Sequence, residues 1–378
     1  MSFYTATTIG ARETNEDRTY MLNTSNYISM FILDGHGGTE LVNVVDKSLK
    51  NSLDSSMGEL DVNSHYTQMI EYIQSIYDVM LKDVDIHTTH LKYEGTTITL
   101  ILYNKKTGIS VLLQLGDSSA SIIDKDTGDI LIVDELYHID RKVSIEPKQN
   151  VLATSMTHDF SDCRELEYIK NILPNDVNVI TKKKPGTNHR ENRVEVCLCK
   201  KGLRNILPEP SRTIEARKDY EPLIVDFQRE PEYVVWQLKT SDIIIALYCD
   251  GFISKLAIPS HEHIAKLIHS PRNYLSTLNL ENTVLGEWIK TKKWWKDTHI
   301  KPTDTEWFQN TTKYCSDLLH HIAPDKMWKD AVSESAEVLD FSILTDLNTN
   351  PELSVIQAVN TPVILGSDDN VSLCICIL

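Results

Sequence analysis

The stretch Phe31-Ile32-Leu33-Asp34-Gly35-His36-Gly37-Gly38 puts a carboxylate and an imidazole where an apolar run breaks into glycine. Glycine lets a backbone turn hard and come close to a small ligand, so an acid at such a strand end suits a metal-and-phosphate site. The competing reading is a glycine-rich strand-to-helix turn with Asp34 as an N-cap, and one short motif does not separate the two. Three further strand ends repeat the pattern. Leu112 to Leu115 runs into Gly116-Asp117-Ser118, Ile243 to Cys249 runs into Asp250-Gly251, and Gly366-Ser367-Asp368-Asp369-Asn370 precedes the apolar tail Val371 to Leu378. Upstream, Gly10 to Asp17 adds Arg12, Glu16 and Asp17. Charges at core strand ends are costly unless paired or bound to a cation, so these ends predict acids converging on metal. Taken singly, Glu16 and Asp17 could begin a solvated turn, Asp250 and Asp369 could cap helices, and His36 could be a structural hydrogen-bond donor.

In this order and local spacing, the segments resemble the metal-dependent protein phosphatase family, the type 2C serine/threonine phosphatases. Tyr93-Glu94-Gly95-Thr96-Thr97-Ile98-Thr99 resembles the family's Gly-[Ser/Thr]-Thr strand. Thr157-His158-Asp159, followed by Glu167-Tyr168-Ile169, resembles its Thr-x-Asp-His segment and the acidic helix after it. Ser211-Arg212-Thr213-Ile214 resembles its Ser-Arg turn, and Glu230-Pro231-Glu232 its Glu-Pro-Glu entry to a strand. The resemblance runs from the N-terminal segment to the C-terminus, broken by insertions.

The implied reaction is hydrolysis of phosphoserine and phosphothreonine on proteins, among the slowest reactions without a catalyst. The resemblance implies two hard cations, Mg²⁺ or Mn²⁺, that share a site and lower the pKa of a water between them. Carried over residue by residue, Asp34 resembles the ligand bridging both ions. Asp250 and Asp369 would complete one ion, and Glu16 with the backbone carbonyl of Gly35 would serve the other. Asp17 would support this shell, Arg12 would grip phosphate through its planar fork, and His36 would protonate the departing oxygen. Asn370 would orient Asp369. Clustered carboxylates repel one another unless neutralised, so metal affinity should fall with falling pH. The chain departs from the family at Ser254, where an acid is common. A third ion, to which Asp117 would contribute, is therefore expected to be weak or absent. Ser119 and Phe160 also replace residues common in the family, an Arg and a His.

The elements that must position these residues read as antiparallel strands. Strand-like runs cover Ser29 to Leu33, Thr96 to Tyr103, Ser110 to Leu115, Ser119 to Ile123 and Ile130 to Val133, separated by turn signals such as Lys106-Thr107-Gly108. Helical periodicity covers Thr39 to Leu53 and Ser64 to Lys82, where Met69, Ile73, Ile76 and Met80 form an apolar stripe. The resemblance implies an α+β fold, a four-layer α-β-β-α sandwich of two antiparallel sheets flanked by helices. We expect one phosphatase domain over 1–378 with two insertions. The first, at about 171–220, reads as loop with one hairpin. The second, at about 270–345, reads as helical and carries Trp288, Trp294, Trp295, Trp307 and Trp328, five of the six tryptophans. Those rings would form a packed subdomain core or, less favoured, dock a protein partner.

The net charge of −16 argues against nucleic acid as a partner, since phosphate backbones need Lys/Arg patches. No apolar run approaches the roughly 20 residues of a membrane span, and the N-terminus lacks a signal-peptide pattern. The seven scattered cysteines read as buried reduced thiols, with zinc a poor second, so an intracellular, cytoplasmic location is expected, the nucleus left open. The rival to a Mg²⁺/Mn²⁺-dependent phosphatase is an inactive relative that keeps the fold as a scaffold and binds a partner through the Trp-rich insert. A nuclease or other two-metal hydrolase fits poorly with the acidic surface and lacks its own motif.

Overall fold

The computed structural model describes residues 1–8, 14–91, 93–140, 143–155, 158, 163–173, 175–184, 193–200, 203–206, 212–215, 227–252, 258, 260–277, 345–364, 367 and 369–378. The chain opens with β1 (Ser2–Thr8), β2 (Arg18–Asn23), β3 (Tyr27–Leu33) and the two-residue β4 (Gly35–His36). Helices α1 (Glu40–Ser56) and α2 (Tyr66–His87) follow, then β5 (Gly95–Thr96), β6 (Ile98–Asn104), β7 (Ile109–Leu115), β8 (Ser119–Asp124), β9 (Ile132–Asp140), β10 (Val143–Ile145) and β11 (Lys148–Leu152). Helix α3 (Cys163–Ile172) leads to β12 (Asn178–Lys184), β13 (Arg193–Lys200) and β14 (Leu203–Ile206). After β15 (Ile214–Glu215), β16 (Glu232–Gln237) and β17 (Ile243–Tyr248) come α4 (His261–His269), α5 (Pro271–Thr277), α6 (Pro351–Ile364) and β18 (Val371–Ile377).

Two antiparallel sheets make the middle of the fold: β10-β9-β16-β7-β6-β3-β2, with β11 also on β9, and β1-β18-β17-β8. Successive strand side chains point to opposite faces, so a strand buried on both sides reads as a continuous apolar run. β3 is such a strand. Its Ile28, Met30 and Ile32 meet Ile122 of β8, Ile245 of β17 and Cys374 of β18 between the sheets. Its Tyr27, Phe31 and Leu33 face the apolar stripes of α1 (Leu41, Val45, Leu49) and α2 (Met69, Ile73, Ile76, Met80). β18 alternates likewise: Cys374 and Cys376 point into the sandwich, while Leu373 and Ile375 pack with Ile264 and Leu267 of α4 and Val355 and Val359 of α6. The outcome is the expected four-layer α-β-β-α sandwich.

Two sequence expectations change in detail. The strand placed at Ile130 to Val133 runs instead over Ile132–Asp140. Its polar Glu135, His138 and Asp140 hide the strand pattern, yet all three are buried. In the first insertion the hairpin is joined by a third strand, giving the sheet β12-β13-β14. Of the second insertion, α5 is described; residues 278–344, with all five of its tryptophans, lie outside the described residues. So do Arg12, Ser254 and Phe160. Cys197, Cys249, Cys374 and Cys376 are buried free thiols. Among the described residues, no helix is long and apolar enough to cross a membrane.

Candidate metal centre

The fold brings distant strand ends to one edge of the sandwich. Carboxylate oxygens of Asp34, after β3, Asp117, in the β7–β8 turn, and Asp250, after β17, all lie within 4.8 Å of one another. A second group shares Asp34: ligand atoms of Asp17, Asp34 and Cys249 are likewise within 4.8 Å. Asp369 lies close enough for its charge to act on both Asp17 and Cys249.

Close backbone contacts fix these approaches. A Cβ on Gly35 would fall 2.5 Å from the carbonyl oxygen of Glu16, and a Cβ on Gly251 would fall 2.0 Å from that of Asn370. The glycines therefore let the Glu16 segment pass the end of β3 and the entry to β18 pass the end of β17. Gly251→Ala should push these backbones apart, and metal titration followed by the melting temperature should show a weakened or lost cation response. Asn370 is the clasp between them. Its side-chain oxygen accepts from the amide of Glu16 at 3.0 Å, its side-chain nitrogen donates to the carbonyl of Thr14 at 3.1 Å, and its own amide donates to the Asp369 carboxylate at 2.9 Å. The side chain thus organises the Glu16 segment, and the backbone amide of Asn370 meets Asp369.

Asp34 is held through its backbone. Its amide donates to Thr97 Oγ1 (3.2 Å), and its carbonyl accepts from the amide of Thr97 (2.9 Å) and the hydroxyl of Thr96 (3.1 Å). Thr97 Oγ1 in turn meets the hydroxyl of Ser118, beside Asp117, at 2.9 Å. The Asp34 carboxylate is consequently aimed without being consumed in these contacts.

Asp17 is 3% exposed, and neither of its carboxylate oxygens has a well-directed hydrogen bond. Burial above all pushes it up to about 7; Ser372 and Cys249 lie beside it and offset part of the shift, while the charge of Asp369 adds to it. Burial, then the charges of Asp17 and Asp34, also drive the Cys249 thiol well up. That thiol accepts from the amide of Ser372 at 3.1 Å and donates to the carbonyl of Asn370 at 3.4 Å, so it is a neutral prop and not a soft ligand. A buried acid with orphaned oxygens beside a cluster of half-exposed carboxylates is a donor set that fits a hard divalent cation. Among the described residues Asp117 joins this cluster through Asp34 and Asp250.

His36 lies on a small separate sheet, β15-β5-β4. Its Nε2 is 3.3 Å from Oε1 of Glu215, a residue the sequence reading did not single out. The reading also missed a buried ion network, although Arg212, His158 and Glu232 stood in its motifs. Arg212 is fully buried, with Nη2 2.6 Å from Asp140 and 2.9 Å from Glu165. Its guanidinium lies over the ring of Phe227, and Nη1 donates to the carbonyl of Glu230 at 3.2 Å. Glu232 spans two imidazoles, His138 Nε2 at 2.6 Å and His158 Nε2 at 3.2 Å. His158 Nδ1 accepts from the amide of Gly116 at 3.1 Å, which ties the network to the turn bearing Asp117. Of the missed acids, Glu135 and Asp140 lie on β9 and Glu165 on α3; the available signal was charge at inward positions of those elements.

Burial alone would lower His138, but hydrogen bonds and charge from Glu135 and Glu232 outweigh it and push the imidazole up to about 9. Burial would raise Glu232, but its two histidines hold it well below the usual carboxylate range. The raised His138 therefore stabilises fully below its unfolded value of 6.5, and that stability is lost as pH climbs through about 9. The depressed Glu232 stabilises above 4.5 and loses its contribution as pH falls. Urea unfolding between pH 6.5 and 9 should show a loss on the order of 3 kcal/mol at most, and His138→Asn should flatten that alkaline fall.

No curated protein matches this sequence as a relative. Among solved structures, a C. elegans sex determining protein aligns with 15% identity and a TM-score of 0.47 over 99% of this chain, which spans 64% of that chain. A serine-threonine phosphatase 2C from Toxoplasma gondii aligns with 14% identity and a TM-score of 0.43, over 71% of this chain and 83% of its own. The PPM Ser-Thr phosphatase MsPP from Mycobacterium smegmatis, solved with cacodylate, aligns with 12% identity and a TM-score of 0.41, over 100% and 98%. Residues 10–136 match the family described as Protein phosphatase 2C, and it is the type 2C serine/threonine phosphatases that this chain resembles.

Proposed function

We propose that this protein is a Mg²⁺- or Mn²⁺-dependent phosphatase that hydrolyses phosphoserine and phosphothreonine monoesters on proteins. The observation that carries the reading is the gathering of Asp34, Asp117 and Asp250, carboxylate to carboxylate, with the buried Asp17 beside Asp34. Like charges held this close repel, and a pair of divalent cations is the natural counter-charge.

Asp34, as the member common to both acidic groups, would bridge the ions. Asp250 and Asp369 would hold one, and Glu16 with the carbonyl of Gly35 the other. When bound, such ions supply a water acidic enough to attack phosphorus near neutral pH. The chain's own residues do the rest. Arg12 would grip the phosphoryl oxygens in a bidentate pair. His36 would give a proton to the seryl or threonyl oxygen as the P–O bond breaks, since an alkoxide is a poor leaving group. Asn370 keeps the Glu16 segment against the end of β17, and Cys249 packs beneath it as an uncharged support.

The test is phosphate release from a phosphothreonine peptide with Mn²⁺, with Mg²⁺ and with chelator. Turnover that appears with the cations and vanishes with chelator is the expected result. A protein inert under every divalent ion would overturn the reading and favour a phosphatase-like scaffold that binds a partner, with the 270–345 insert as its contact.

A further inference from the structure

His36 and Glu215 meet across a glycine. In the sheet β15-β5-β4, His36 pairs with Gly95, and Gly95 pairs in turn with Glu215. Residues in register across a sheet project from the same face. The outer two therefore share a face, and the middle position carries no side chain to part them. A Cβ at Gly95 would fall 2.2 Å from His36 Nε2 and 2.5 Å from its Cε1, so the imidazole lies directly over this glycine. It reaches Glu215 Oε1 at 3.3 Å. Glu215 is 5% exposed, and a buried carboxylate needs a polar partner. Its strand is pinned independently: the Glu215 carbonyl accepts from Arg229 Nη2 at 3.1 Å, and Arg229 Nη1 pairs with Asp85 at 2.7 Å.

We infer that Glu215 is a positioning residue for His36. It anchors Nε2–H, which leaves Nδ1 as the nitrogen presented to the substrate. The step balances simply. As water attacks phosphorus, the P–O bond to the serine or threonine breaks, its electron pair stays on the departing oxygen, and the Nδ1 proton transfers to that oxygen. The ring is left neutral with Nε2–H still on Glu215, and solvent returns the proton. This assignment rests on the reading of His36 as proton donor, and the experiment separates the two.

Glu215→Ala, Glu215→Gln, His36→Ala and the His36→Ala/Glu215→Ala double variant are compared on a phosphothreonine peptide and on p-nitrophenyl phosphate, whose leaving group needs little protonation. Glu215→Ala should lower kcat on the peptide roughly ten- to a hundredfold, the scale of a misplaced catalytic group, and lower p-nitrophenyl phosphate turnover far less. Glu215→Gln, which keeps an acceptor oxygen of the same reach, should recover most of the peptide activity. The double variant should be no worse than His36→Ala. A second readout needs no turnover and no metal: long-range ¹H–¹⁵N correlation on histidine-labelled protein, at a pH where the ring is neutral. It should show His36 as the Nε2–H tautomer alone, becoming a mixture in Glu215→Ala. Equal losses on both esters, additive losses in the double variant, or an unchanged tautomer would each overturn the assignment. A parent protein inert on both esters would instead bring down the phosphatase reading, and this assignment with it.

Discussion

Asp34→Asn is expected to cut Mn²⁺-dependent hydrolysis of p-nitrophenyl phosphate by about a thousandfold or more. Cation stabilisation of phosphoryl transfer amounts to several kcal/mol, and about 4 kcal/mol corresponds to that factor. Asp34 is the residue to replace because it alone belongs to both acidic groups, the one with Asp117 and Asp250 and the one with Asp17 and Cys249. The amide is isosteric, and the backbone is fixed by Thr96 and Thr97 whatever the side-chain charge. The metal-free variant should therefore melt no lower than the parent, since one of several crowded negative charges has gone. What it should lose is the rise in melting temperature that Mn²⁺ gives the parent. Retention of activity within tenfold, or an undiminished thermal response to Mn²⁺, would sink the two-cation account.

The second large effect is on stability. Arg212→Met should cost about 3–5 kcal/mol, because it takes away a buried guanidinium with which two carboxylates pair. Asp140 and Glu165 both pair with this guanidinium, and Arg212 itself is fully buried. Its charge is secured by them: burial would lower its pKa, but the two carboxylates raise it. Urea denaturation gives the number directly, and a loss under about 1 kcal/mol would show that the network is dispensable. Replacing Arg212, Asp140 and Glu165 together with apolar residues of similar volume should recover much of the loss, since each buried charge then leaves with its counter-charge. The triple variant should then reveal whether the network matters beyond stability, through its link from His158 to Gly116 and the Asp117 turn.

Much of the architecture was legible because strands buried on both faces leave continuous apolar runs, as Tyr27 to Leu33 and Val371 to Ile377 do. Helices α1 and α2 were equally visible through their stripes, and Met69, Ile73, Ile76 and Met80 are all core. β9 was cut short for the opposite reason. Glu135, His138 and Asp140 look like loop residues until their partners on β16, α3 and the Arg212 turn are known. Sequence order also marked the acids that the fold gathers, Asp34, Asp117 and Asp250, because each ends an apolar run. Glu215 left no such mark. Its meaning depends on a two-residue strand lying one glycine away from His36, and pairing between segments this far apart is invisible to local pattern. Cys249 was read only as part of a strand, and its place beside Asp17 and Asp34 emerges from the pairing of β17 with β18.

The strand β18 lies between β1 and β17, with Asp369 just ahead of it. During translation the ribosome therefore releases Glu16, Asp34, Asp117 and Asp250 long before the segment that joins them. Until residues 371–377 emerge, β1 has no neighbour in its sheet and β17 has an open edge, a template for mispairing with other chains. Chains stalled before this strand should thus accumulate as chaperone clients or aggregates.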